Sequence, residues 1–145
     1  MKNQFSTDGL KFLAIQLLIM ATFGLAAVAK WFPPGIPENF INQFGDTWLG
    51  SLPGGLFIPY YTIAVTEAAA FFLALISFFR LEWIRGNTKY FLKLSLILCL
   101  FIFVILAYGL RLTGEFQGTA NTFFYFGVTL FALYLTEKED KMVTT

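Results

Sequence analysis

The chain contains no histidine and one cysteine, Cys99, and only 13% of its 145 residues are charged. These shortages exclude much chemistry within one chain. There is no CxxC redox pair and no intramolecular disulfide, and His-ligated haem and His- or Cys-rich zinc sites have no ligands. The net charge of +1 gives no field that would attract nucleic acid. What is present in excess is apolar surface. Hydrophobic residues make up 57% of the sequence, and there are 19 phenylalanines. A soluble domain of this length is usually nearer half apolar and a quarter charged.

The apolar residues fall into four blocks. The first runs from Phe12 to Ala29 and the fourth from Phe116 to Thr136, both without a charge. The second, Leu56 to Phe79, carries only Glu67, and the third, Tyr90 to Leu110, carries Lys93 near its start. Blocks of about 20 residues match a hydrocarbon core when helical, and helices satisfy every backbone amide internally. The expected architecture is therefore all-α: a bundle of four transmembrane helices over about residues 10–32, 56–79, 90–111 and 117–136, in one membrane domain. Ala27-Val28-Ala29 has the form of a signal-peptide cleavage site, but the preceding apolar run exceeds a typical signal core. A retained first helix is the reading adopted.

Basic residues orient the bundle. Lys2, Lys11, Arg80, Arg85, Lys89, Lys93, Lys138 and Lys141 fall on one side, and only Lys30 and Arg111 on the other. The positive-inside rule places both termini in the cytoplasm. Trp31, Tyr60, Tyr61 and Tyr108 then lie near the outer boundary, with Trp83, Tyr90 and Tyr134 near the inner one. In the outer loop, residues 33–55, Pro33, Pro34, Gly35 and Pro37 break any helix. Phe40, Phe44 and Trp48 recur at i, i+4, i+8, with Ile41 beside them. That stripe predicts a short amphipathic helix lying in the interface and capping the bundle. The segment Glu137-Lys138-Glu139-Asp140-Lys141 reads as a solvated, disordered end.

Glu67 is the most informative residue. It sits near the middle of the second block, where an unpaired carboxylate costs several kcal/mol. Ala64, Ala70, Phe71 and Ala74 share its face, and small residues mark close helix contact. Glu67 is thus expected inside the bundle, as a proton-accepting or ligand-binding group or as a structural acid that fixes helix register. Lys30, Arg111 and Glu115 lie on the outer side and are candidates to ring a mouth with Glu67 at its base. The alternatives are that Lys30 and Arg111 snorkel to headgroups, and that Arg111 and Glu115 form an i, i+4 pair. Gln16, Asn121 and Thr122 are candidates for interhelical hydrogen bonds. Gly114 and Gly118 read as a tight outer turn, and Cys99 as packing. Ligand-binding candidates are therefore Lys30, Glu67, Arg111, Glu115 and Asn121. No catalytic group and no metal ligand is assigned.

Several of these residues, in this order, resemble the DoxX-like family of small four-helix membrane proteins. The match consists of Gly24-Leu-Ala-Ala-Val-Ala-Lys30 ending the first span, and the loop with Phe40, Phe44 and Leu52-Pro53. It continues with Tyr61 and Glu67-Ala-Ala-Ala in the second span, then Arg80, and ends with Arg111-Leu-Thr-Gly-Glu-Phe-Gln-Gly118 before the last. The resemblance implies a multi-pass protein of a bacterial inner membrane and a redox or thiol-handling membrane partner. This chain, lacking a cysteine pair, would not relay thiols by itself. The expected function is an accessory or binding subunit, not an enzyme on its own, that joins a larger membrane complex or binds a lipid-soluble ligand. The alternatives are a quinone-linked oxidoreductase subunit, with quinone as the bound cofactor, and a small proton-coupled carrier built as a homo-oligomer.

Overall fold

The computed structural model describes residues 7–32 and 34–144. Lys2 and Pro33, used above for orientation and for breaking the loop, lie outside them. Five α-helices follow in order: α1 (Thr7–Trp31), α2 (Glu38–Phe44), α3 (Phe57–Phe79), α4 (Tyr90–Leu112) and α5 (Phe116–Thr144). A 3-10 turn, Trp48–Ser51, lies between α2 and α3, and among the described residues there is no strand. Gly9–Trp31, Phe57–Phe79 and Tyr90–Leu112 are each 23 residues long and apolar enough to cross a membrane. α5 is longer but less apolar, because Gln117, Asn121 and several threonines dilute its phenylalanines.

The long helices pack as an arc. α1 lies on α3, α3 on α4, and α4 on α5, whereas α1 and α5 make at most marginal contact. Helix approach is closest where side chains are smallest. Ala64, Ala70 and Ala74 on α3 are fully buried, and Ser95 of α4 donates its hydroxyl to the Ala70 carbonyl at 2.9 Å. Gly24 on α1 faces the Phe71 ring so closely that an added Cβ would come within 2.9 Å of it. Around this seam, Phe12, Ile19, Phe23, Leu92, Leu96, Cys99 and Ile102 form the core. Large apolar side chains also point outward along the helices, among them Leu18, Leu25, Val65, Phe72, Phe101 and Phe131. A surface of that kind is penalised in water and favoured in lipid, so the chain is read as a membrane protein.

Both α3 and α4 end in the same backbone motif. At the end of α4, Glu115 N–H bonds the Leu110 carbonyl and Gly114 N–H bonds that of Arg111, with Gly114 at φ +78°. At the end of α3, Glu82 N–H bonds Ser77 and Leu81 N–H bonds Phe78, but the left-handed position is Leu81 at φ +57°. This is the Schellman arrangement, which ordinarily uses glycine. Gly114 is therefore in the tight turn expected from the sequence, whereas Gly118, expected with it there, lies within α5 against Leu110.

Two expectations are corrected. The segment at residues 137–141 is not a loose end: α5 continues through it, with Glu139 and Asp140 buried. Asp140 has partners there in Lys89 and Lys93, which composition alone does not reveal. The short helix of the first loop is also shorter than its stripe. It stops at Phe44, where Gly45 serves as the C-cap, and Trp48 belongs to the separate 3-10 turn. Phe44 is buried against Gly109, while Ile41 and Trp48 stay exposed. Trp48 Nε1 and Gln43 Nε2 tie the loop to α4 by donating to Tyr108 Oη (3.0 Å) and Thr113 Oγ1 (3.1 Å).

Candidate functional site

The mid-helix acid is inside, as its small neighbours predict. Glu67 is 4% exposed, and the Lys30 ammonium at the end of α1 reaches its Oε2 at 2.8 Å. Tyr60, two turns earlier on α3, is buried and donates its hydroxyl to the Lys30 carbonyl at 3.3 Å, fixing the end of α1. It therefore belongs to the interior and not to an aromatic belt.

Glu67 also lines a cavity of about 720 Å³. Its walls come from α1 (Leu18, Ile19, Thr22, Phe23, Ala26), α4 (Leu96 to Leu110) and α5 (Gly118 to Thr129). The lining is overwhelmingly apolar, and Glu67 is the one charged residue on it among those described. The cavity exists because α1 and α5 do not close on each other, and Gly118 and Ala26 keep its walls thin. Its volume lies in the range of sites that enclose a small organic molecule.

The remaining sequence candidates are distributed differently. Asn121 lines the cavity, with its Oδ1 accepting from Gln117 Nε2 at 3.1 Å on the same helix. Thr122 lines it too, and its hydroxyl donates to the Gly118 carbonyl at 2.8 Å. Neither makes the interhelical bond expected of it. Arg111 does not join Lys30 and Glu67. It is exposed, and its guanidinium lies 4.6 Å from the Phe116 ring centroid. Glu115 is exposed as well. The i, i+4 alternative fails because α4 ends at Leu112, so Arg111 and Glu115 are not on one helix. The mouth ringed by three charges is thus reduced to one ion pair.

A second polar cluster lies at the opposite end of the bundle, and sequence reading missed it. Glu82, in the loop after α3, is 3% exposed. Its carboxylate accepts from Ser77 Oγ (2.8 Å) and from the backbone N–H of Phe91 (3.1 Å) and Leu92 (2.9 Å). It thereby caps α4 from outside and meets the positive end of that helix. Gln16 Nε2 donates to Ser77 Oγ at 2.6 Å, which leaves Gln16 Oε1 buried without a hydrogen-bond partner. Asp140 of α5 completes the cap, accepting from Lys89 N–H at 2.9 Å and pairing with Lys93 Nζ at 2.6 Å. The Lys89 ammonium donates to the Asn87 carbonyl and lies 4.7 Å from the Phe12 ring centroid. Burial holds its pKa below the ordinary lysine value, against the opposing pull of Glu139, Asp140 and Glu82. With its groups hydrogen-bonded to one another and to the start of α4, this cluster reads as a structural clasp. The one signal that could have found it is Glu82 itself, an acid between Leu81 and Trp83 in a basic loop.

No protein-family model, curated protein or solved structure matches the chain. The functional reading rests on the geometry.

Proposed function

We propose that this is a four-span protein of the DoxX-like type, an accessory or binding subunit that holds a lipid-soluble ligand in the cavity between α1 and α5. The observation that carries the reading is the cavity itself, an apolar chamber of about 720 Å³ with a buried carboxylate on its wall. Apolar volume accommodates a hydrocarbon body, and one polar group orients it. The gap between α1 and α5 gives such a molecule a sideways route from the bilayer.

In this reading α5 is the fourth span. Its residues 116–136 carry no charge. Its polar groups are largely satisfied on the helix itself: Thr119, Thr122 and Thr136 donate to the carbonyls of Glu115, Gly118 and Ala132, and Gln117 bonds Asn121. Self-satisfied hydroxyls enter lipid at reduced cost. The eight-to-two distribution of basic residues supports cytoplasmic termini, with α2 outside, and the resemblance to the DoxX-like family implies a bacterial inner membrane. A second reading, a quinone-linked redox subunit, is favoured by the position of Glu67. A carboxylate on the wall of a ligand cavity can exchange protons with a bound redox ring.

The test is purification in mild detergent, lipid extraction and mass spectrometry of the same sample, beside an Ala26→Trp variant whose indole would project from the cavity wall and crowd the chamber. The proposal expects a stoichiometric lipophile that Ala26→Trp loses while the protein still elutes as a folded species. A quinone in that role, or a flavin- or haem-bearing partner, selects the redox reading. Phospholipid alone, in equal amount in both samples, contradicts both.

A further inference from the structure

The cavity wall constrains the polar end of its occupant. Glu67, as the partner of an ammonium, has acceptor lone pairs and no hydrogen to donate. Lys30, which is not on the cavity wall, already pairs with Glu67 Oε2 at 2.8 Å, so what Glu67 offers a ligand is the carboxylate's remaining lone pairs. On the same wall the Thr122 hydroxyl is committed to the Gly118 carbonyl and Asn121 Oδ1 accepts from Gln117, which leaves Glu67 as the one charged acceptor among the described lining residues. A carboxylate held by one cation still has lone pairs to spare, and an incoming hydrogen-bond donor can take one of them.

The pair's charge sets a second limit. Lys30 and Glu67 together are neutral, so a charged head group would bring an uncompensated charge into an apolar chamber. An anion would also face Glu67 directly, without a hydrogen to offer it. A neutral head that only accepts, such as an ether or ester, would set lone pairs against lone pairs. A neutral donor is the chemistry that fits.

Resting on the binding reading above, we infer that the ligand is an uncharged lipophile whose polar end is a hydroxyl that donates a hydrogen bond to Glu67. Its hydrocarbon body lies along Phe103, Leu106 and Val128. A hydrogen bond to a charged acceptor is worth about ten- to hundredfold in affinity.

The experiment is native mass spectrometry of the protein in lipid nanodiscs, titrated in parallel with hexadecanol, hexadecyl methyl ether, hexadecyl sulfate and hexadecylamine. The expected result is one hexadecanol per chain, bound about ten- to hundredfold tighter than the methyl ether and ahead of both charged probes. The double variant Lys30→Met/Glu67→Leu keeps the site neutral and should bind alcohol and ether alike. Ala26→Trp, which crowds the wall, should bind hexadecanol more weakly than the unaltered protein does. Equal affinity of alcohol and ether for the unaltered protein, or preference for the sulfate or the amine, overturns the hydroxyl assignment and leaves the binding reading standing. Absence of binding by all four, or binding that Ala26→Trp does not alter, overturns the binding reading itself.

Discussion

Glu67 and Glu82 are both buried glutamates, and they are held in different ways. Glu67 depends on one cation, Lys30, at 2.8 Å. Removing that cation while keeping the acid leaves a charge in the bundle without compensation, whereas removing both is close to neutral. Lys30→Met should therefore destabilise by about 3 kcal/mol, and Lys30→Met/Glu67→Leu should recover most of it, as read by thermal unfolding in detergent. Glu82 depends on three donors that its neighbours cannot satisfy otherwise. Glu82→Ala should cost about 3 kcal/mol, without altering ligand binding. Lys89 supplies the pH dependence. Its pKa is lowered in the folded state, so folding favours its neutral form, and stability rises as pH climbs from the folded value toward the ordinary one. Lys89→Met should flatten that slope in alkaline thermal unfolding. Of these residues Glu67 and Lys30 were legible in advance, because a lone acid inside an apolar run stands out and a lone lysine closes the first run. Glu82 sits in a basic loop where a solvated reading is the ordinary one, and its three donors come from distant backbone and from Ser77.

The helices were legible from their hydropathy, and their ends were not. Gly114 announces the turn after α4, but Leu81 takes the same left-handed position after α3 with no glycine to mark it. That conformation costs a non-glycine residue about 1 kcal/mol, and it directs Glu82 back to the start of α4. Leu81→Gly should relieve the strain and raise stability by about 1 kcal/mol, less the added freedom of the unfolded chain. The end of α5 was misread for a related reason. A run of alternating charges looks solvated, yet Asp140 reaches Lys89 and Lys93, residues 51 and 47 positions earlier in the chain. Between α1 and α3, Gly24 admits the Phe71 ring at a distance no Cβ tolerates. Gly24→Ala should destabilise the α1–α3 seam, and Gly24→Ala/Phe71→Leu should restore part of the loss, since a smaller side chain removes the clash.

The whole molecule is an arc of four long helices, tied at one end by the Glu82 and Asp140 clasp and roofed at the other by α2 and its neighbouring loop. Its open side lies between the first and last members of the arc, and the cavity with Glu67 on its wall lies there. The sequence made the acid and Lys30 visible but not the chamber, because a gap between α1 and α5 is a property of packing and leaves no motif. Topology is accessible through single cysteines, as Cys99 is buried and gives little background. An impermeant maleimide added to intact cells should label Asp46→Cys and spare Lys138→Cys until the membrane is opened. The central claim is that a lipophile occupies the chamber, and photolabelling in native membranes tests it most directly. A long-chain alcohol bearing a diazirine, followed by peptide mapping, should place label on Phe103, Leu106 and the stretch from Thr122 to Thr129, and excess hexadecanol should remove it. Label spread evenly over the outward-facing Phe72, Phe101 and Phe131, and insensitive to competitor, would contradict the account.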